Sequence, residues 1–203
     1  WAGRKAHLAV VNPPVQADDG YRISLCGEWD FAAFRHALES RDLQYELEKD
    51  FWGRDGVWKN VRKITVPGCW EAQGVGKEDF CYGYNSRRSN TCKIRHAHLG
   101  NGFYRRQFTV PESWKGRRVW LKIGQLRNWG WIWVDGKAVA HVAEAYRALK
   151  WEITDLVSPG KTSTIVVQTD NSYTYRNSQT MSFGRWGGIT RDIELEATPS
   201  AFI

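Results

Sequence analysis

Hydrophobic and polar residues alternate along most of the second half of this chain. From Trp129 to Val134 the side chains fall into two sets, with Trp129, Trp131 and Trp133 on one face and Gly130, Ile132 and Val134 on the other. Asp135-Gly136 breaks the run, and residues 138–142 resume it. An Asp-Gly pair between two such runs predicts a β-hairpin, because glycine accepts the positive φ of a tight turn. Similar runs predict strands at 22–31, 64–66, 103–110, 118–124, 149–153, 163–169 and 189–197, punctuated by Gly, Pro, Asn and Asp. Residues 37–49, charged with scattered leucines, predict a helix. Residues 70–102 and 170–188 break the rhythm and read as long polar loops, a length that inside a compact domain is commonly functional. The pattern predicts an all-β fold, an antiparallel β-sandwich with at most one or two short helices.

Strand direction sorts the connections. Antiparallel neighbours reverse direction, so successive connections alternate between the two ends of a sandwich. The turns at 111–116, 135–136 and 158–160 then share one end. The loop before Phe103 and the segments 125–128, 143–148 and 170–188 share the other. The first set carries ordinary turn residues, while the second is rich in Tyr, Trp, Arg, Asn and Gln. Binding residues ride on loops held by a rigid scaffold, so the second end is the candidate site. Its ligand contacts are expected from Trp129, Arg127 and Asn128 beside the hairpin, and from Glu144 and Tyr146 after it. Asn171, Tyr173, Tyr175, Arg176, Arg185 and Trp186 in the late loop, and Tyr84 and Asn85 in the early one, complete the set apart from Asp192. Trp129 is expected to meet ligand, whereas Trp133, next to the tight turn, is expected to be structural. Trp29, Trp70 and Trp120 are expected to pack the core.

Charge sharpens the choice of end. The chain of 203 residues carries a formal charge of +7. In residues 74–102, 125–128, 143–148 and 170–188, nine basic side chains face four acidic ones, which places +5 of that charge at the loop end. Arginine grips carboxylate or sulfate with two parallel bonds, so a ligand carrying such an anionic group suits this end. A hydrophobic share of 42% supports a sizeable core and excludes a disordered chain. No run approaches the roughly 20 apolar residues needed to cross a bilayer, so no membrane partner is expected.

The remaining motifs carry little chemistry. The four cysteines, Cys26, Cys69, Cys81 and Cys92, show no Cys-x-x-Cys spacing. A Cys81–Cys92 pair and free buried thiols are both open. His96-Ala97-His98 sets two imidazoles on one strand face with no third ligand, so surface or core histidines are expected, and no metal or other cofactor. Gly-x-Ser-x-Gly is missing, which argues against esterase chemistry. A single-stranded nucleic-acid binder using Arg and stacked aromatics is a weaker alternative.

Six motifs in order resemble a known family. They are Leu25-Cys26-Gly27-Glu28-Trp29-Asp30-Phe31, Val66-Pro67-Gly68-Cys69-Trp70-Glu71, Phe103-Tyr104-Arg105-Arg106-Gln107-Phe108, Trp133-Val134-Asp135-Gly136-Lys137, Thr169-Asp170-Asn171 and Gly187-Gly188-Ile189-Thr190-Arg191-Asp192-Ile193. Together they resemble the N-terminal sugar-binding domain of glycoside hydrolase family 2, the β-galactosidase and β-glucuronidase family. The resemblance implies a galactose-binding-like jelly roll over residues 22–197, with 1–21 as a lead-in segment and 198–203 as the start of a linker. It implies a glycan partner, and further domains of a parent glycosidase, among them a barrel carrying two catalytic glutamates. No catalytic pair is nominated here: Glu71, Glu78, Asp79, Glu144, Asp170 and Asp192 read as solvated or structural carboxylates. By the same resemblance Asp192 approaches the sugar, or else forms a buried salt bridge with Arg105 or Arg106, and Asn85 matches a loop residue that reaches the sugar. Glu144-Ala145-Tyr146 stands where the family often has Gly-Gly-Tyr. An extracellular or periplasmic location is the expectation. The expected function is non-catalytic recognition of a glycan, with an anionic, sulfated or uronate-bearing, galactan-type polysaccharide as the secondary expectation from the basic loops and the N-terminal part of a family 2 glycosidase as the alternative.

Overall fold

The chain builds its strands where side chains alternate and breaks them where glycine or proline intervenes. The computed structural model describes residues 7–8, 20–35, 58, 61–81, 93–98, 100–127, 129–142, 147–171 and 186–200. Its strands are β1 His7–Leu8, β2 Arg22–Ser24, β3 Gly27–Arg35, β4 Arg62–Val66, β5 Lys77–Cys81, β6 Lys93–Ala97, β7 Gly100–Thr109 and β8 Arg118–Ile123. They continue with β9 Leu126–Arg127, β10 Trp129–Val134, β11 Lys137–Val142, β12 Leu149–Glu152, β13 Thr162–Asp170, β14 Gly188–Ile189 and β15 Ile193–Thr198. Two one-turn 3-10 helices, Glu71–Gln73 and Glu112–Trp114, are the helical elements among the described residues. The helix expected at 37–49 lies outside them.

Two antiparallel sheets face each other. One has the order β1-β12-β8-β15-β2 and the other β11-β10-β13-β7-β3-β4. Alternate residues of both point into one core. Val119, Leu121 and Ile123 of β8 and Ile193 and Leu195 of β15 meet Trp29 and Phe31 of β3, Tyr104 of β7, Ile132 of β10 and Ile165 and Val167 of β13. This is the sandwich that the alternation predicts.

The tryptophan hairpin forms as expected. Asp135 and Gly136 both take positive φ, 46° and 75°, the backbone of a turn whose twist matches that of the strands it joins. Ile132 and Val134 enter the core, whereas Trp131 and Trp133 lie on the outer face of the six-stranded sheet. There Trp133 is buried with Ala32, Phe103 and Val166 in a second cluster, and Trp131 stacks on it at 6.1 Å between ring centroids. Trp133 is thus a packing residue, though of this outer layer.

Four expectations need correction. The strand expected at 22–31 is two strands in different sheets, because the chain crosses from one layer to the other at Leu25-Cys26-Gly27, where Gly27 takes a φ of 111°. The strand expected at 189–197 is likewise split, with Thr190 to Asp192 between β14 and β15. The stretch 70–102 is not one irregular loop: it holds a 3-10 turn and the paired strands β5 and β6. Trp120 does not enter the core between the sheets. It lies on the outer face of the five-stranded sheet between Arg118 and Lys150, at 4.7 and 4.8 Å from its ring, and donates its indole N–H to Thr198 Oγ1 at 2.9 Å. Cys26 and Cys69 are free thiols. The Cys81–Cys92 pairing falls outside the described side chains.

The tight turns do share an end. Gly160 N–H donates to Val110 O at 2.8 Å, and Asp135 N–H donates to Thr164 O at 2.9 Å. At the opposite end, Trp129 and Asn101 flank Asp170 across β10, β13 and β7, and Arg127 pairs with Gly188.

Candidate functional site

Trp70 organises the loop end. It follows the cis Val66–Pro67 bond, and its turn is stitched to the late segment by Gly68 N–H to Ile189 O at 2.8 Å and Trp70 N–H to Gly187 O at 3.1 Å. Its indole slides between two glycines. A Cβ on Gly102 would stand 2.3 Å from the indole, and one on Gly187 would stand 2.0 Å from it. Phe31 and His98 close the remaining sides, with ring centroids at 6.0 and 5.4 Å. His98 is therefore a buried packing group, with Nε2 at 3.3 Å from Asn101 O.

Next to Trp70 lies Glu71, 4% exposed. Its Oε1 accepts the Trp70 indole N–H at 2.6 Å and the Asn171 amide at 3.2 Å, and its Oε2 accepts Gly187 N–H at 3.2 Å. Burial pushes its carboxyl up to about 7, against the lowering effect of its own backbone N–H, the Gly187 and Trp70 N–H groups and the Arg127 charge. Asn171, fully buried, spends the rest of its amide on the backbone: its nitrogen donates to His98 O at 2.7 Å and its oxygen accepts from Gly100 N–H at 3.0 Å. Gln168 donates to Asn101 Oδ1, and Thr169 Oγ1 donates to Arg127 O. This polar floor ties together residues far apart in sequence.

Above the floor stands Trp186, 41% exposed, the large hydrophobic side chain left to solvent among the described residues. Arg127, itself nearly buried, holds its guanidinium 5.7 Å from the Trp186 ring. A cation within about 6 Å of an indole face is attracted by the ring's quadrupole and helps to hold the ring in place. A half-exposed ring on a rigid base can stack on a flat apolar surface.

The expected site residues are distributed as follows. Arg127, Asn171 and Trp186 come together at this end. Asn171 sits beneath it rather than facing solvent. Asp192 is exposed, its backbone O accepting from Gly124 N–H at 2.8 Å and its carboxylate 3.8 Å from the Cys26 thiol. The buried salt bridge considered for it is overturned: Arg105 pairs with Asp30 at 2.9 Å, and Arg106 donates to the carbonyls of Leu25 and Cys26 at 3.0 and 2.8 Å. Trp129 is placed by its backbone opposite Asp170. Asn128, Glu144, Tyr146, Tyr173, Tyr175, Arg176, Arg185, Tyr84 and Asn85 lie outside the described residues. Glu71 is the residue that sequence reasoning passed over as a solvated or structural carboxylate, and its position directly after a buried tryptophan was the available signal.

A second concavity lies on the outer face of the six-stranded sheet, lined by Glu28, Asp30, Lys63, Arg105, Arg106, Gln107 and Thr164. Its charges satisfy one another. Lys63 reaches Asp30 at 2.9 Å and Glu28 at 3.4 Å, and Arg105 grips Asp30 while lying 4.2 Å over Trp58. Such partly exposed ion pairs contribute little to stability.

Comparison with known proteins gives the family and the same fold. The family described as glycosyl hydrolases family 2, sugar binding domain, matches residues 23–199. A β-galactosidase of Priestia megaterium is 25% identical over 187 residues, spanning 90% of this chain and 17% of that protein. A β-glucuronidase of Bacteroides fragilis is 26% identical over 176 residues, spanning 85% of this chain and 23% of that protein. The chain thus spans about a fifth of the length of these relatives. A solved β-glucuronidase from an uncultured Clostridium sp. has the same fold, with a TM-score of 0.60 at 20% identity over 91% of this chain and 30% of that one. The chain belongs to the sugar-binding domain family of the family 2 glycosyl hydrolases.

Proposed function

We propose that the chain is the non-catalytic sugar-binding domain of a family 2 glycoside hydrolase, and that it meets a saccharide at its loop end with Trp186 as the stacking platform. The observation that carries this reading is Trp186 itself: a large apolar ring left in water, yet fixed by Arg127 and by its neighbour Gly187. A sugar's C–H face fits such a ring. The basic balance of this end, with Arg127 beneath it, favours a uronate-bearing or sulfated glycan over a neutral one. Hydrolysis by a retaining enzyme needs two carboxylates about 5–5.5 Å apart on either side of the scissile bond. Glu71 is buried and fully bonded, so catalysis is assigned to the part of the enzyme that this chain does not span.

Electrophoresis through gels containing galactan, polygalacturonate or sulfated galactan tests the reading. The chain should be retarded, most by an anionic gel, and Trp186→Ala should weaken that retention about tenfold, the worth of one stacked aromatic. Retardation unchanged in Trp186→Ala would remove the site. No retardation in any gel would favour a second reading, in which the domain serves as scaffold and active-site rim. That reading draws on the chain's small share of its relatives' length.

A further inference from the structure

We infer that Glu71 is the positioning residue of the sugar-binding end: through the Gly187 N–H it sets where Trp186 stands. The sugar part of this inference rests on the function proposed above, whereas the hold on the loop stands on geometry alone. The Gly187 N–H belongs to the peptide plane that joins Trp186 to Gly187, and Glu71 Oε2 receives it at 3.2 Å. The next peptide is fixed too, by Trp70 N–H on Gly187 O at 3.1 Å. Glu71 therefore clamps the backbone that carries the exposed ring, from the floor of the site and without touching ligand. Its other oxygen binds Trp70 and Asn171, so the clamp also fixes the turn and the strand end on either side.

The charged and titratable groups about Glu71 are Arg127 from β9 and Tyr104 from β7, with Cys69 two residues before it, His98 packed on Trp70, and buried Asp170 next in sequence to the Asn171 that Glu71 bonds. Arg127 supplies the stabilising positive charge, yet burial outweighs it and holds the carboxyl at about 7. Breaking the bonds from Glu71 and Trp70 to Gly187 would hydrate Glu71 and return it to its ordinary 4.5. The closed form then binds its proton more tightly than the open form. By linkage the closed form is most favoured below about 4.5, and its advantage falls roughly tenfold per pH unit until about 7, beyond which the curve is flat.

Amide hydrogen exchange of the wild-type chain across this range reads the clamp directly. After correction for intrinsic exchange, protection of the Gly187 amide should fall on the order of fiftyfold between pH 5 and pH 8, with most of the fall complete by pH 7. The amide of Gly124, bonded to Asp192 on the neighbouring connection, should change less. Glu71→Gln puts an N–H where Oε2 accepts, so Gly187 should lose protection at every pH and lose the pH dependence with it. A flat profile for Gly187 in the wild type would overturn the inference without need of a variant. A pH dependence that survives in Glu71→Gln would overturn it as well. If Trp186→Ala keeps the Gly187 profile but loses retention in the gels, clamp and stacking site both stand. If it keeps both, the clamp stands and the stacking site fails. A flat wild-type profile with retention lost in Trp186→Ala leaves the site and removes the clamp.

Discussion

Trp70→Ala is expected to cost about 3–5 kcal/mol of stability, the range for deleting a buried large aromatic, and to abolish any ligand retention with it. The indole is 0% exposed and fills a slot with two backbone walls, the Gly102 and Gly187 segments, closed on its other sides by Phe31 and His98. Backbone walls cannot close on a void as side chains can, so the cavity should persist and the cost should lie high in the range. The substitution also removes the N–H that Glu71 Oε1 accepts at 2.6 Å, leaving a buried carboxyl with one donor fewer. Denaturant unfolding should show a lower midpoint at an unchanged slope. Trp120→Ala supplies the contrast. That ring lies on an outer sheet face under Arg118 and Lys150, whose chains can settle into the space. A Trp70→Ala variant within about 1 kcal/mol of wild type would mean that the slot collapses, contrary to the rigidity described here.

The same contrast shows what a sequence reveals and what it hides. The hairpin was legible because its signals are local: alternation over Trp129–Val134 and a turn pair that takes positive φ at both residues. The sandwich followed from many such runs, and the sorting of loops to two ends followed from strand direction. The crossing at Leu25-Cys26-Gly27 was not legible, since alternation continues through it and only pairing partners tell the two sheets apart. Nor were β9 and β14, two residues each, whose pattern is too short to rise above chance. Trp120 alternates as a core residue would, but on the wrong face. The polar floor was least legible of all. Glu71 reaches Asn171 and Gly187 across 100 and 116 residues of sequence, and only a fold brings those distances to one hydrogen bond. Its neighbours Arg127 and Trp186 read from the sequence as members of the loop end because charge and aromatic content mark loops locally. The one local mark of Glu71 is its place directly after Trp70.

Gly130→Ala is expected to lower stability by about 3 kcal/mol, at the upper end of what overpacking costs, and the melting temperature by about 6–12 °C for a chain of this size. Gly130 stands in β10 between Trp129 and Trp131, opposite Thr169 of β13. A Cβ there would lie 1.8 Å from Gln168 O, 2.8 Å from Gln168 C and 3.0 Å from the Thr169 Cα. All three are backbone atoms, so no rotamer change relieves the clash. β10 must move away from β13, and the movement falls where Thr169 Oγ1 bonds Arg127 O and where Asp170 leads into Asn171. The damage should therefore begin at the loop end. Exchange at the Thr169 and Asn171 amides should quicken before that at Ile165, near the tight-turn end, where the strands stay paired through Val134. Loss of retention should exceed what the fraction unfolded explains, because the base of Arg127 and Trp186 shifts while the chain remains folded. An alanine at 130 that melts within about 1 °C of wild type would show that β10 and β13 stand further apart here than the clash requires. The close approach that leaves a tryptophan-rich strand with a glycine at its first inward position would then lose its explanation.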